Sequence, residues 1–214
     1  MQPFTRDQMA AHLADDIPEG WCVNLGIGIP TLVANHVSPE REVILQSENG
    51  VVGMGPAPAA DAVDPWLINA GKQAITLAKG ASFVGHADSF AMIRGGHIDL
   101  CVLGGFEVAE NGDLANWATS ENDTAPAVGG AMDLANGAKR LWVVMEHTTK
   151  DGRPKLVERC GYPLTGLGCV SRVYTNLAVL DVLPGQGFVV RQMAPGLGFE
   201  ELQAKSGATL HRPV

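Results

Sequence analysis

The sequence predicts an α/β fold, an open and largely parallel sheet flanked by helices. Short apolar runs alternate with segments of helical spacing, and alternation of that kind makes parallel sheets with helices on their faces. Glycines and prolines, 26 and 13 in number, gather at the junctions where such sheets bind ligands. The 214 residues, 46% hydrophobic and 18% charged, suffice for one substantial core and are short for two, so residues 1–214 read as a single domain.

Thr5 followed by Gln8 forms a capping box, and Met9, Leu13 and Ile17 share one helical face before Pro18 and Gly20, so a first helix is expected from Thr5 to Asp16. Trp21 to Leu25 then reads as a strand, Gly26-Ile27-Gly28-Ile29-Pro30 as a glycine loop, and Thr31 to Val37 as a helix. Further strands are expected at 42–46, 75–77, 98–103 and 141–145, with helices at 88–94 and 130–137. Leu177 to Val182 and Phe188 to Met193 flank Leu183-Pro184-Gly185-Gln186-Gly187 as a hairpin. A last helix is expected from Phe199 to Ser206, with Gly207 as its C-terminal cap.

The formal charge of -8 would repel a phosphate backbone, which argues against nucleic acid as a partner. No apolar run is long enough for a membrane span, and Arg6, Asp7, Asp15 and Asp16 stand where a signal peptide would need apolar residues, so a soluble cytoplasmic protein is expected. Cys22, Cys101, Cys160 and Cys169 are far apart and suit buried thiols rather than a disulfide framework or a zinc site. The six histidines lack metal-ligand spacing, and no metal is expected. Gly26-Ile27-Gly28 is not a dinucleotide fingerprint, because Thr31 replaces its third glycine. Ser47 lacks the flanking glycine of a nucleophile elbow.

The sharpest feature is Ser47-Glu48-Asn49-Gly50, where a strand runs into a carboxylate and two turn formers, followed by Gly53-Met54-Gly55-Pro56. A carboxylate at the C-terminal end of a strand points into the ligand crevice, although periodicity alone fits a solvated surface turn better. This segment resembles the signature of the type I CoA-transferases. So do, in the same order, 24–31, Leu67-Ile68-Asn69-Ala70-Gly71-Lys72, 89–97, 112–117, Gly129-Gly130-Ala131-Met132-Asp133-Leu134 and 163–166. The resemblance covers nearly the whole chain.

That resemblance implies the sheet shared by these transferases and certain sugar-phosphate isomerases, with Glu48 as nucleophile. It implies an oxyanion donor at Gly130, the second glycine of the Gly129-Gly130 pair. Asn24 matches the family's active-site asparagine, which would orient Glu48 or a substrate oxygen; the plainer reading is a strand-end side chain satisfying backbone. Lys72 matches a lysine close to the glutamate; the plainer reading is a helix-surface lysine. Asn49 and Gly50 flank the nucleophile, and Gly26, Gly28, Gly53 and Gly55, all expected in turns, would let the coenzyme approach the backbone. By the same resemblance the chain needs no cofactor beyond the coenzyme A thioester that is its substrate, and it works with a second, similar polypeptide of its family, two copies of each.

Within the family, Asn116 to Val128 resembles chains acting on 3-oxoadipate more than those acting on acetoacetate, with succinyl-CoA as the usual donor. A related isomerase, or a non-catalytic binding protein, would share the fold, and fold alone does not separate them.

Overall fold

The computed structural model describes residues 1–120, 123 and 128–212. The helices are α1 (Arg6–Asp16), α2 (His86–Arg94), α3 (Ala131–Gly137) and α4 (Phe199–Ala204). The strands are β1 (Cys22–Leu25), β2 (Ile44–Ser47), β3 (Val51–Met54), β4 (Leu77–Phe83), β5 (Leu100–Leu103), β6 (Glu107–Ala109), β7 (Leu114–Ala115), β8 (Leu141–Met145), β9 (Leu156–Val157), β10 (Val170–Thr175), β11 (Ala178–Leu183), β12 (Gly187–Met193) and β13 (Leu210–His211).

Ten strands form one open sheet in the order β13-β12-β11-β10-β8-β5-β1-β2-β3-β4. Its centre, β10-β8-β5-β1-β2, is parallel throughout, and antiparallel pairs extend it on both sides. The expected open α/β sheet is thus present, with hairpins at its margins. Central strands are buried on both faces, which is why β5 and β8 read as unbroken apolar runs. β6, β7 and β9 form a second sheet of three short strands, β7-β6-β9.

The capping box closes as expected: Thr5 Oγ1 accepts from the Gln8 amide and Gln8 Oε1 from the Thr5 amide. Met9, Ala10, Leu13 and Ala14 are buried beneath α1. Arg41 satisfies orphan carbonyls at its other end, donating to Ala14 O and Ile17 O. Asp16 then takes the Tyr174 hydroxyl and Arg172, fixing α1 over β10. Among the described residues no helix is long and apolar enough to cross a membrane.

Four expectations of local structure need correction. The strand expected at 75–77 instead begins at its last residue, as β4 over Leu77–Phe83. The segment after the first glycine loop is a 3₁₀ helix at Ile29–Asn35 rather than an α-helix at 31–37, because Pro30 sits in its first turn and it closes after barely two turns. Gly53 lies within β3 rather than in a turn, at φ 86°, where the β3–β4 register shifts between Val52 and Met54. Gly207 does not cap the last helix: Lys205 holds that position in a right-handed conformation, and the Gly207 amide instead donates to Leu156 O.

Candidate active site

At the C-terminal ends of β2, β1, β5 and β8 the sheet opens into a cleft of about 570 Å³. It lies where the chain order reverses, since β2 follows β1 on one side and β5 joins β1 on the other. Open α/β sheets bind ligands at such a point.

Glu48 enters the cleft from the turn after β2. The Gly50 amide donates to Ser47 O across the turn, and Gly50 adopts φ 111°; a Cβ there would sit 2.2 Å from Val84 O, so only glycine fits. The turn is tied to the following loop, with the Ala70 amide donating to Ser47 Oγ and Asn49 Nδ2 to Ile68 O. Asn49 therefore has a positioning bond, with its side chain turned toward the loop.

The Glu48 carboxylate is half-buried and has no ion pair or hydrogen bond among the described residues. Its pKa is raised above the ordinary carboxylate value, chiefly because burial disfavours the charge; His86 opposes the rise and Asp133 adds to it. Gly130 lies directly against it, for a Cβ at Gly130 would stand 2.9 Å from both Glu48 Oε2 and the Phe90 ring. The Gly130 amide has no acceptor among the described residues, as an oxyanion donor requires. Gly129 precedes it at φ 51° with open space beside it.

Asn24 is placed differently from the expectation. It is 1% exposed, and its Nδ2 donates to Gln46 Oε1, its partner in the β1–β2 ladder. Gln46 Nε2 in turn donates to Ser89 Oγ on α2, and Cys101 Sγ points to Asn24 Oδ1 at 3.7 Å. This chain of polar groups fixes α2 on the sheet beside the strand that carries Glu48. Gln46 and Ser89 escape a reading that looks for polar groups at strand ends. Their signal is a polar residue inside an apolar strand and a small hydroxyl on the apolar face of a helix.

Lys72 is exposed in a turn, at φ 62°, and does not line the cleft; the helix-surface alternative is equally displaced, since no helix is there. Gly26 does line it, and its own approach to β5 forbids a side chain: a Cβ would lie 2.9 Å from Val102 O. Gly28 takes φ 97° with free space around it. At Gly53 and Gly55 the room is filled by Ala81 and Thr76, so packing within the chain already accounts for those glycines. The cleft's lysine is one the sequence did not single out, Lys155, whose ammonium reaches the second glycine of the Gly104-Gly105 pair from fifty residues away.

Of the stretch from Asn116 to Val128, residues 121, 122 and 124–127 lie outside the described residues. Asn116 anchors its start, donating to Gly104 O and accepting from Thr165 Oγ1. Among the described residues no three His, Cys, Asp or Glu side chains cluster as a metal site.

A poorly solvated carboxylate beside a backbone N–H that has no acceptor among the described residues suits covalent attack on a carbonyl, with the oxyanion stabilised alongside. Residues 6–205 match the coenzyme A transferase family, and the chain belongs to it. It is an enzyme of CoA transfer. It is 55% identical over 207 residues to the B subunit of 3-oxoadipate CoA-transferase from Acinetobacter baylyi, covering 97% of this chain and 95% of that one. It is 49% identical over 203 residues to the B subunit of a probable succinyl-CoA:3-ketoacid coenzyme A transferase from Bacillus subtilis, covering 95% and 93%. An acyl-CoA transferase from Escherichia coli O157:H7 superposes with a TM-score of 0.75 at 19% identity, over 98% of this chain; this chain spans 42% of that one.

Proposed function

We propose that the chain is the glutamate-bearing beta subunit of a 3-oxoadipate CoA-transferase, moving CoA from succinyl-CoA to 3-oxoadipate through a thioester on Glu48. The observation that carries this reading is the half-buried Glu48 carboxylate, unpaired among the described residues and packed against Gly130.

Glu48 attacks the acyl carbonyl of succinyl-CoA, giving a mixed anhydride and a free CoA thiolate. The thiolate attacks the glutamyl carbonyl, forming Glu48–CoA and releasing succinate. The carboxylate of 3-oxoadipate then attacks that thioester, and the thiolate returns to the new anhydride at its 3-oxoadipyl carbonyl, restoring Glu48. One thioester is exchanged for another, so no ATP, metal or redox group is consumed. Each tetrahedral oxyanion falls to the Gly130 amide, and one such donor contributes about 3 kcal/mol. Gly26 and Gly129, which line the cleft, serve the coenzyme, Asn49 and Gly50 hold the turn that carries the nucleophile, and Asn24 acts through Gln46.

A second polypeptide, the alpha subunit, closes the site, in a complex of two copies of each chain working in the cytoplasm. Support comes from the relatives, which are themselves named as one of two kinds of subunit, and from the E. coli chain, more than twice the length spanned here.

The test is to treat the reconstituted complex with succinyl-CoA and then borohydride, and to weigh the peptide containing Ser47 to Asn49. Reduction of a Glu48 thioester to the alcohol is expected with the alpha subunit present and negligible without it. An unchanged peptide from a turning-over complex would overturn the covalent mechanism, leaving proton transfer by Glu48 or a binding role.

A further inference from the structure

We propose that Lys155 recognises the far carboxylate of the dicarboxylic acid whose other end reacts at Glu48. This rests on the 3-oxoadipate reading above and names the residue that sets its substrate class.

Lys155 is held in place by its backbone, its amide donating to His147 O and its carbonyl accepting from Val108 at the β6–β9 junction. Its half-buried ammonium donates to Gly105 O at 2.7 Å. Three N–H groups are available and that carbonyl uses one. No carboxylate reaches it as an ion pair among the described residues. Burial lowers its pKa, and the charges of Glu146 and Glu107, neither within ion-pair distance of it among the described residues, oppose that shift. A partly desolvated cation facing a cleft is costly unless an anion completes it. The other cation lining the cleft, Arg6, is already paired with Glu146 at 3.3 Å and its side chain is 67% exposed.

The spacing fits. Glu48 follows β2 and Gly105 follows β5, with β1 between them, so the two walls are two strand spacings apart, roughly 10 Å. A six-carbon diacid advances roughly 6 Å between its terminal carbons, from bonds near 1.5 Å. Contact distances at either end add about 3 Å each, so the extended diacid slightly exceeds the two strand spacings and the flexible lysine stem takes up the difference. The surface between is apolar, with Leu25, Leu103 and Leu134 lining it. A shorter four-carbon acyl group is reached by the flexible lysine stem, whereas a monocarboxylic 3-oxo acid leaves the ammonium unmatched.

The experiment measures kcat/KM for 3-oxoadipate and for acetoacetate in the complex with the alpha subunit, using unaltered protein, Lys155→Gln and Lys155→Arg. A charged hydrogen bond lost on one substrate corresponds to roughly ten- to hundredfold, so the 3-oxoadipate-to-acetoacetate ratio is expected to fall by that factor in Lys155→Gln and to recover largely in Lys155→Arg. Glutamine keeps a donor for Gly105; if that variant fails to assemble, the ratio is read on Lys155→Met. An unchanged ratio in a variant of an enzyme that prefers 3-oxoadipate overturns the assignment and leaves the function intact. Equal use of both acids by the unaltered enzyme sinks the 3-oxoadipate reading, and the Lys155 assignment with it.

Discussion

At Glu48 the protein keeps a charge that its surroundings disfavour. A carboxylate whose pKa is raised in the folded state binds its proton more tightly there than in the unfolded chain. Stability is therefore lost as pH rises from the ordinary value of 4.5 through the folded one. Glu48→Gln is expected to raise Tm at pH 7 while abolishing transfer, and to make little difference below pH 4.5, where both side chains are neutral. Thermal unfolding at the two pH values checks this, and a lower Tm at pH 7 would show that the charge is stabilised in the fold. Glu48 itself was legible in the sequence because its turn carries a recognisable motif. Asn24 was legible as important but not in its role, since its partners Gln46, Ser89 and Cys101 meet it only once three elements are brought together.

Elements were legible where their periodicity was intact. β5 and β8 are continuous apolar runs, β1 and β2 are apolar but for Asn24, Gln46 and Ser47, and α1 announces itself by its cap. β10 was missed because the register shift between Val170 and Arg172 breaks its alternation, and β4 was placed too early, at 75–77, because it is mostly exposed on both faces. The contact between α2 and α3 is invisible to any pattern, yet it places Gly130 against Glu48. A Cβ at Gly137, the last residue of α3, would stand 2.7 Å from Ile93 O on α2. Gly137→Ala is expected to lever α3 away and shift Gly130 relative to Glu48. A displacement of ~1 Å costs on the order of a hundredfold in rate, and overpacking costs about 1–3 kcal/mol of stability. Steady-state kcat with a urea unfolding curve measures both, and an unchanged kcat would separate Gly130 from this contact. The bidentate Arg94–Asp133 pair, at 2.7 and 2.9 Å, closes the same two helices from the solvent side.

Across the whole molecule, His147 joins the end of β8 to the end of α4. It is fully buried, its ring between Thr175 Oγ1 and Ser206 Oγ, and burial lowers its pKa from 6.5 to about 4, with Lys205 adding to the effect. The unfolded state binds the extra proton, so this contribution is complete above pH 6.5 and is lost as pH falls toward 4, about 3 kcal/mol in all. Urea unfolding between pH 7 and pH 4 is expected to show a steeper loss of stability for the unaltered protein than for His147→Gln; parallel curves would contradict it. The large sheet also has two ends. β13 is a two-residue strand, but β4 runs for seven, leaves Leu77 and Phe83 exposed and has no partner strand on its outer side among the described residues. Only Lys79 and the left-handed Gly80 interrupt it, the kind of feature that discourages one edge from adopting another as its next strand. High concentration therefore works against this chain at its margin rather than at its core, favouring edge-to-edge association over misfolding.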